Sequence, residues 1–145
     1  MAITTNAICN SFKKELLEGT HNFKASGGNS FKLSLYTSSA TLGKSTTSFT
    51  TDNQISATGQ YASGGSALTN GGTSLSSDTA LVDYADLSFT GVTLTARGAL
   101  IYNDTVSGDP AVCVLNFGGD KTATNGTFTV QFPAFSSSAA IIRIA

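Results

Sequence analysis

The sequence is poor in charge, since Asp, Glu, Lys and Arg together make up 12% of its 145 residues, about half the share usual in globular proteins. Eight Lys and Arg residues are spread along the chain, and the net charge is −1. A nucleic-acid-binding surface needs clustered cations, because much of its affinity comes from counterions released from the phosphates. We therefore expect no nucleic-acid partner.

Long apolar runs are also lacking. No stretch approaches the roughly 20 apolar residues that a membrane-spanning helix needs. The first residues, MAITTNAICNSF, have neither the basic segment nor the apolar run of a signal peptide. The sequence therefore predicts no membrane partner and synthesis in the cytoplasm of the producing cell.

Residues that carry chemistry are scarce. His21 is the only histidine, and it follows a predicted helix end, where we expect a solvated loop residue. A nucleophilic serine would need a histidine as its base, and that histidine would have to be oriented by a third side chain. Cys9 and Cys113 are expected to be buried free thiols, because no secretory signal precedes them. One histidine and two cysteines fall short of a four-ligand zinc site. The sequence predicts no catalytic residue, cofactor or metal, and hence no enzyme.

Aspartates recur in the loops of the second half of the chain, at Asp104, Asp109 and Asp120. None has the spacing of an EF-hand calcium loop. We interpret them as turn formers whose carboxylates bond to nearby backbone. A calcium ion bound in one of these loops stays open as an alternative.

Small hydroxyl residues are abundant: 21 Thr and 19 Ser, with 15 Gly beside them. Thr favours strands, whereas Ser and Gly favour turns, so the composition predicts many short strands joined by tight loops. Phe, Tyr, Val, Ile and Leu recur along the whole chain, unlike a disordered linker. A chain of this length can bury one core without disulfides, so residues 1–145 are predicted to be a single domain.

One amphipathic helix is predicted over residues 5–18. Ile8, Phe12 and Leu16 recur at every fourth position, Thr4 or Thr5 can cap the start, and Gly19 stands where a left-handed stop is expected. An isolated helix of this length is only marginally stable in water, so its apolar side must pack against another protein surface. We favour docking on its own sheet over docking on a neighbouring molecule.

The rest of the chain, about residues 30–145, has the alternation of strands. Phe31, Leu33 and Leu35 alternate with polar residues, which predicts a half-buried strand. Residues 37–53 and 57–74 are interpreted as long loops with short strand pieces around Ile55 and Leu68. Further strands are predicted at 79–84, 87–89, 92–102, 111–117, 127–132 and 140–144, with turns at 118–120 and 125–126. This spacing predicts a mainly β fold, an antiparallel sandwich or barrel that is jelly-roll-like.

Some segments contain more apolar residues than a sheet with one face in water would bury. Residues 111–115 are hydrophobic on both faces, so they should be covered from both sides, by the helix or by another subunit. The apolar end of the chain, 140–144, is expected to be tied into the fold. The residues predicted to lie at an interface are Ile8, Phe12, Leu16, Val112, Val114 and Ile141.

Five segments resemble a family of small virion proteins of tailed bacteriophages. They are Ala2–Leu17, Phe31–Thr37, Ala96–Asn103, Val114–Lys121 and Gly126–Pro133. The resemblance covers nearly the full length, and strand and turn patterns carry it rather than any functional signature.

The resemblance implies a structural protein located in the virion. The leading hypothesis is a capsid decoration, or cement, protein that braces the head through contacts with the major capsid protein and with copies of itself, as a homo-oligomer such as a trimer. Loops 37–53 and 57–74 would then be flexible contact arms. The alternative is a tail fibre or adhesin domain that binds a host surface receptor, a role that exposed Ser, Thr, Asn, Gly and Tyr would suit equally.

Overall fold

The computed structural model describes residues 3–133, 136 and 138–145. Within them the chain forms one short helix and eight strands. In chain order these are β1 (Ala7–Ile8), α1 (Asn10–Leu17), β2 (Phe31–Tyr36), β3 (Ser66–Ala67), β4 (Asn70–Ser76), β5 (Thr79–Tyr84), β6 (Leu87–Asn103), β7 (Ala111–Val130) and β8 (Ile142–Ile144).

The strands form two antiparallel sheets that pack together. The larger has the order β1-β7-β6-β2-β3 and the smaller the order β4-β5-β8. Phe31 of the larger sheet and Tyr84 of the smaller meet between them, with ring centroids 6.1 Å apart. The predicted mainly β sandwich is confirmed, whereas the barrel alternative is wrong, because the two sheets remain separate and open.

A long hairpin of β6 and β7 is the centre of the larger sheet. Pairing runs from Leu87 opposite Val130 to Tyr102 opposite Ala111. The sequence predicted two strands in place of each of these, and that prediction is wrong. Its turn signals, residues 118–120 and 125–126, lie instead at irregularities within β7, where Gly118 and Asn125 have φ of 80° and 49°. A bulge and a turn both use positive φ, so sequence does not distinguish them here.

The helix is shorter than the predicted 5–18. It begins after Cys9, and the residues before it form β1, in which Ala7 pairs with Val114 and Ile8 with Cys113 of β7. The open edge of β7 offers these residues backbone partners, and this pairing overrides the helical period. The predicted cap by Thr4 or Thr5 is therefore also wrong, because both residues precede β1.

The end of the helix is as predicted. Gly19 has φ of 74°, its N–H donates to the Leu16 carbonyl, and the N–H of Thr20 donates to the Glu15 carbonyl. These two bonds form a Schellman motif, which satisfies carbonyls that have no partner in the last helical turn. Phe12 is 1% exposed within the core, so the helix docks on its own domain.

Of the two predicted long loops, residues 37–53 contain none of the strands, as expected, whereas part of residues 57–74 forms strands β3 and β4. Residues 70–74 belong to β4 and pair with β5. Residues 37–65 contain none of the eight strands, yet this segment contributes four buried residues to the core, Ala40, Leu42, Ile55 and Tyr61. The Tyr61 hydroxyl accepts a 2.8 Å bond from the Leu35 N–H of β2. These contacts fasten the segment along the sheet, so it does not project as an arm.

The core is continuous from α1 to the smaller sheet. It includes Val112, Cys113 and Val114 of β7, each 2% exposed or less, and the predicted burial of this strand on both faces is confirmed. Cys9 and Cys113 are both buried and free, as predicted.

Gly65 allows β3 to approach β2, and its replacement tests this contact. Gly65 has φ of 83°, and an added Cβ would overlap the Leu33 carbonyl oxygen; Gly27 has a similar φ of 77° but open space around it. We expect Gly27→Ala to lower the unfolding free energy by about 1 kcal/mol from backbone strain alone, and Gly65→Ala by at least about 3 kcal/mol from strain and overlap together. Urea unfolding of both variants measures this. Equal losses in the two would contradict the close contact.

Candidate interaction surfaces

The six predicted interface residues divide into two groups. Phe12, Val112 and Val114 are each 1% exposed or less. They fill the core of their own chain and offer no surface to a partner, so their prediction as interface residues is corrected. Ile8, Leu16 and Ile141 are half-buried and pack against the same core, and they keep some surface that another molecule could reach.

His21 lies in a buried polar cluster beneath α1, and the expectation of a solvated loop residue is wrong. Its Nε2 lies 3.1 Å from a Glu15 carboxylate oxygen, and its Nδ1 lies 3.0 Å from the side-chain nitrogen of Asn103. The ring also stacks near Phe12, Phe23 and Phe31, with centroids 4.9 to 6.3 Å away. The cluster joins the helix, the following loop and β6.

The hydrogen bonds of Asn103 define which ring nitrogen carries the proton. Its side-chain oxygen accepts bonds from the N–H groups of Thr105 and Val106, so its amide nitrogen must donate to His21 Nδ1. Nε2 then carries the proton and donates to Glu15. Both nitrogens are engaged in a side chain that is 0% exposed, so His21 is arranged to hold the structure together and not to accept a proton from a bound substrate.

Burial also suppresses the reactivity of the thiols. It raises the pKa of Cys9 to about 11, with the charge of Glu15 adding to the effect, and it raises the pKa of Cys113 further. Thiolate is the reactive form of cysteine. Neither side chain therefore has the properties of a nucleophile at neutral pH.

The aspartates of the described residues do not belong to any group of three possible metal ligands. Asp104 lies 3.3 Å from the Lys32 ammonium, and no three His, Cys, Asp or Glu side chains come together as metal ligands anywhere in residues 3–133, 136 and 138–145. In that same part of the chain no helix has the length and apolar character needed to cross a membrane.

A broad polar groove of about 1010 Å³ lies between the N-terminal residues 4–7 and the segment 41–53. Most side chains along it are Ser or Thr, and none of the described residues that line it is aromatic. Ser45 and Thr47 are exposed there. Such a groove offers many hydrogen-bonding groups but no flat apolar surface for stacking.

A second, apolar groove of about 140 Å³ separates α1 from the smaller sheet. The sheet side includes Thr73, Ala80, Val82, Ile142 and Ile144. These residues share one face of the sheet, because Val82 lies opposite both Thr73 and Ile142, and Ala80 opposite Ile144. Val82 and Ile142 are buried, and from them the face continues outward beyond the core.

The outer end of that face is apolar and uncovered. Leu75 of β4 lies opposite Ala80 of β5, and Ala80 lies opposite Ile144 of β8. We call these three residues the apolar row. Leu75 is 75% exposed and Ile144 is 54% exposed. Sequence reasoning missed the row, because residues 57–74 were interpreted as a loop and the alternation of Thr73, Leu75 and their polar neighbours was not recognised as a strand.

Comparison with known proteins gives no relative: no known family, curated protein or solved structure matches this chain.

The burial of His21 predicts a pH dependence of stability. Burial lowers the pKa of His21 below 6.5, although the hydrogen bond and charge of Glu15 oppose this effect. The unfolded chain therefore binds a proton near pH 6.5 that the folded chain does not. We expect the unfolding free energy to fall below pH 6.5, by up to about 1.4 kcal/mol per pH unit, until the folded pKa is passed.

Unfolding curves between pH 5 and 8 measure this dependence, with His21→Gln as the control because it removes the only histidine. The variant should be less stable throughout and should lack the histidine component of the slope. A histidine ring signal that titrates at or above pH 6.5 in the folded wild-type protein, followed by NMR, would contradict the expectation.

Proposed function

We propose that this chain is a structural protein of a tailed-bacteriophage virion, most specifically a decoration protein that stabilises the head by protein–protein contacts. The proposal is based on the resemblance of its strand and turn segments to small virion proteins. It is supported by a surface that another protein would cover and by the engagement of its one histidine in a structural cluster. The proposed role is non-catalytic and requires no cofactor.

The structural observation that best supports a role in protein–protein contacts is the apolar row. Leu75 and Ile144 present side chains to solvent at the end of a face whose inner residues Val82 and Ile142 are buried in the core. Exposed apolar area that continues from a core is characteristic of a binding surface. Covering it would contribute about 25 cal/mol per Å² of apolar area, less the cost of ordering the partners.

The rest of the fold suits a protein that braces a shell. The hairpin of β6 and β7 and the fastened segment 37–65 leave little of the described chain to be ordered on binding, so less of the contact energy is spent on ordering. A modest contact repeated at each site of a symmetric shell would add up to a large stabilisation of the whole particle. The proposed partners are the major capsid protein and copies of this chain.

A tail adhesin that binds a host surface receptor is the second candidate, and the polar groove favours it. Its exposed hydroxyl groups, such as those of Ser45 and Thr47, could form hydrogen bonds with a glycan or a polar protein surface. The two candidates use different surfaces, the apolar row and the polar groove, and variants can therefore separate them.

Copy number distinguishes head from tail. A decoration protein should be present in on the order of hundreds of copies per particle, because shell sites repeat by symmetry. Quantitative mass spectrometry of purified virions, with the major capsid protein as the internal standard, measures this number. Only about a dozen copies, as the symmetry of a tail would give, would favour the adhesin.

Particles with altered surfaces test the mechanism. We expect Leu75→Ser combined with Ile144→Ser to give heads that assemble but release DNA at lower temperature or after osmotic shock, because the apolar contact is lost. The matched control, Ser45→Ala with Thr47→Ala, alters the polar groove and should leave head stability unchanged. Normal resistance to shock in the first variant, together with failed adsorption to cells in the second, would overturn the decoration assignment.

A further inference from the structure

The four edge strands of the two sheets are unequal. In the larger sheet, the edge strands β1 and β3 are two residues long. The parts of β6 and β7 that extend beyond β2 and β1 contain Arg97, Asp120 and Lys121 and several register shifts. In the smaller sheet, β8 has three residues and carries Arg143, whereas β4 has seven. No charged residue occurs in residues 70–77. Short strands and charges are the usual protection of a sheet edge against pairing with other chains. By these criteria β4 is the unprotected edge.

The hairpin geometry shows which backbone groups of β4 face outward. A two-residue turn, Ser77 and Asp78, joins β4 to β5, with Ser76 opposite Thr79. In such a hairpin the pair that closes the turn is hydrogen-bonded, and hydrogen-bonded and non-bonded pairs then alternate. Ser76 and Ser74 therefore bond to β5, whereas the N–H and C=O groups of Thr73 and Leu75 point toward the open edge.

These outward groups have almost no partners in the described part of the chain. Among the described residues, no backbone hydrogen bond outside the strand pairing involves residues 73–76. The Leu75 carbonyl receives only a long 3.5 Å bond from Ser74 Oγ. Toward its start, β4 is covered, because Gly72 is buried beside Ala25. The part of the edge available to a partner is therefore residues 73–76.

We propose that this edge pairs with the same edge of a second copy of the chain, antiparallel and about a two-fold axis at Ser74. Thr73 of each copy then lies opposite Leu75 of the other. Because the backbone N–H and C=O groups of Thr73 and Leu75 point toward the open edge, the two residues of each such pair exchange two backbone hydrogen bonds. The two three-stranded sheets become one sheet of six strands. This proposal deepens the proposed function, since it names one partner of the surface that contains Leu75.

Charge and polarity select a second copy in this orientation. The strand has no charge for an oppositely charged partner to recognise, and pairing it with a second copy brings no like charges together within residues 70–77. Around an axis at Ser74, Asp78 of one copy lies opposite Asn70 of the other, and the two Asp78 side chains are separated by about eight residues, on the order of 27 Å. A parallel pairing in register would instead place the two aspartates side by side.

The apolar row gives a second reason for the two-fold arrangement. Leu75 is the member of the row at the β4 edge, so pairing joins the rows of the two copies into one apolar face across six strands. A trimer would need a head-to-tail contact, and within the smaller sheet only the three-residue β8 could meet β4 in that way. The proposed two-fold dimer is therefore an alternative to the trimer expected from the sequence.

Cysteine cross-linking tests the position of the axis. Residues opposite each other in a non-bonded pair have Cα atoms about 4.5 Å apart, within disulfide range. Ser74→Cys should therefore form a disulfide-linked dimer in high yield under mild oxidation. Ser38→Cys, which is exposed elsewhere, should remain mostly unlinked. The native thiols are buried and free. Equal linkage of the two variants, or none in Ser74→Cys, would overturn the assigned axis.

Mass in solution tests the dimer itself. By sedimentation equilibrium up to about 100 µM, the wild-type chain should approach twice its 14.8 kDa mass, and Leu75→Lys should remain at the monomer mass, because a charge on each edge opposes pairing. Leu17→Lys is the matched control, since Leu17 is 92% exposed on α1, and it should remain dimeric.

A wild-type monomer, a trimer, or equal loss of dimer in both variants would contradict the β4 contact. These measurements use the isolated protein, so they can fail while the virion experiments succeed. A dimer through β4 in a protein with few copies per particle would conversely support the contact and remove the decoration role.

Discussion

The pairing of β6 with β7 is the interaction on which the other elements depend. β2 adds to the free side of β6, and β1 adds to the free side of β7. The buried residues of both strands then form the apolar surface against which α1 and the segment 37–65 pack. Because the pairs nearest the connecting loop join residues such as Tyr102 and Ala111, the hairpin can begin from contacts close in sequence. The distant partners, β1 and β2, would have a template to join.

On this protein, hydroxyl groups keep the surface polar and link neighbouring strands, as charged side chains do on many other proteins. Ser88 bonds to Thr129 at 2.9 Å, and Thr95 bonds to Thr122 at 2.8 Å, on the exposed face of the hairpin. Inside the fold, Ser34 lies 3.1 Å from the Tyr61 hydroxyl. Cross-strand hydroxyl pairs of this kind stabilise a sheet modestly and keep its surface polar without net charge. A chain with 12% charged residues can therefore still present a hydrated surface.

The sequence predicted the elements whose signal is local. The strands β2 and β5 and the glycine stop after α1 each depend on neighbours within a few residues, and each was found. The prediction that β2 is half-buried is wrong, because Ser34 and Tyr36 on its second face are also buried. The sequence prediction failed where distant partners decide. Ala7 and Ile8, which fit the helical spacing, pair instead with β7. His21 is buried because Glu15 and Asn103 satisfy the hydrogen bonds of its ring. Of the predicted interface residues, Ile8, Leu16 and Ile141 keep some surface. Leu75 was missed because it is the one large apolar residue of β4, so the alternation of Thr73 and Leu75 with Ser and Gly is too weak to indicate a strand.

The inequality of the sheet edges has a consequence for a chain that is made in quantity. A molecule with two long unprotected edges can add copies without limit, as fibrils do. Here three of the four edge strands are two or three residues long, and the parts of β6 and β7 that extend beyond β2 and β1 contain charged residues and register shifts. Strand addition is therefore favoured at β4. Once two β4 edges have paired, neither is open to a third copy, and the short, charged or irregular edges elsewhere oppose growth into a fibril.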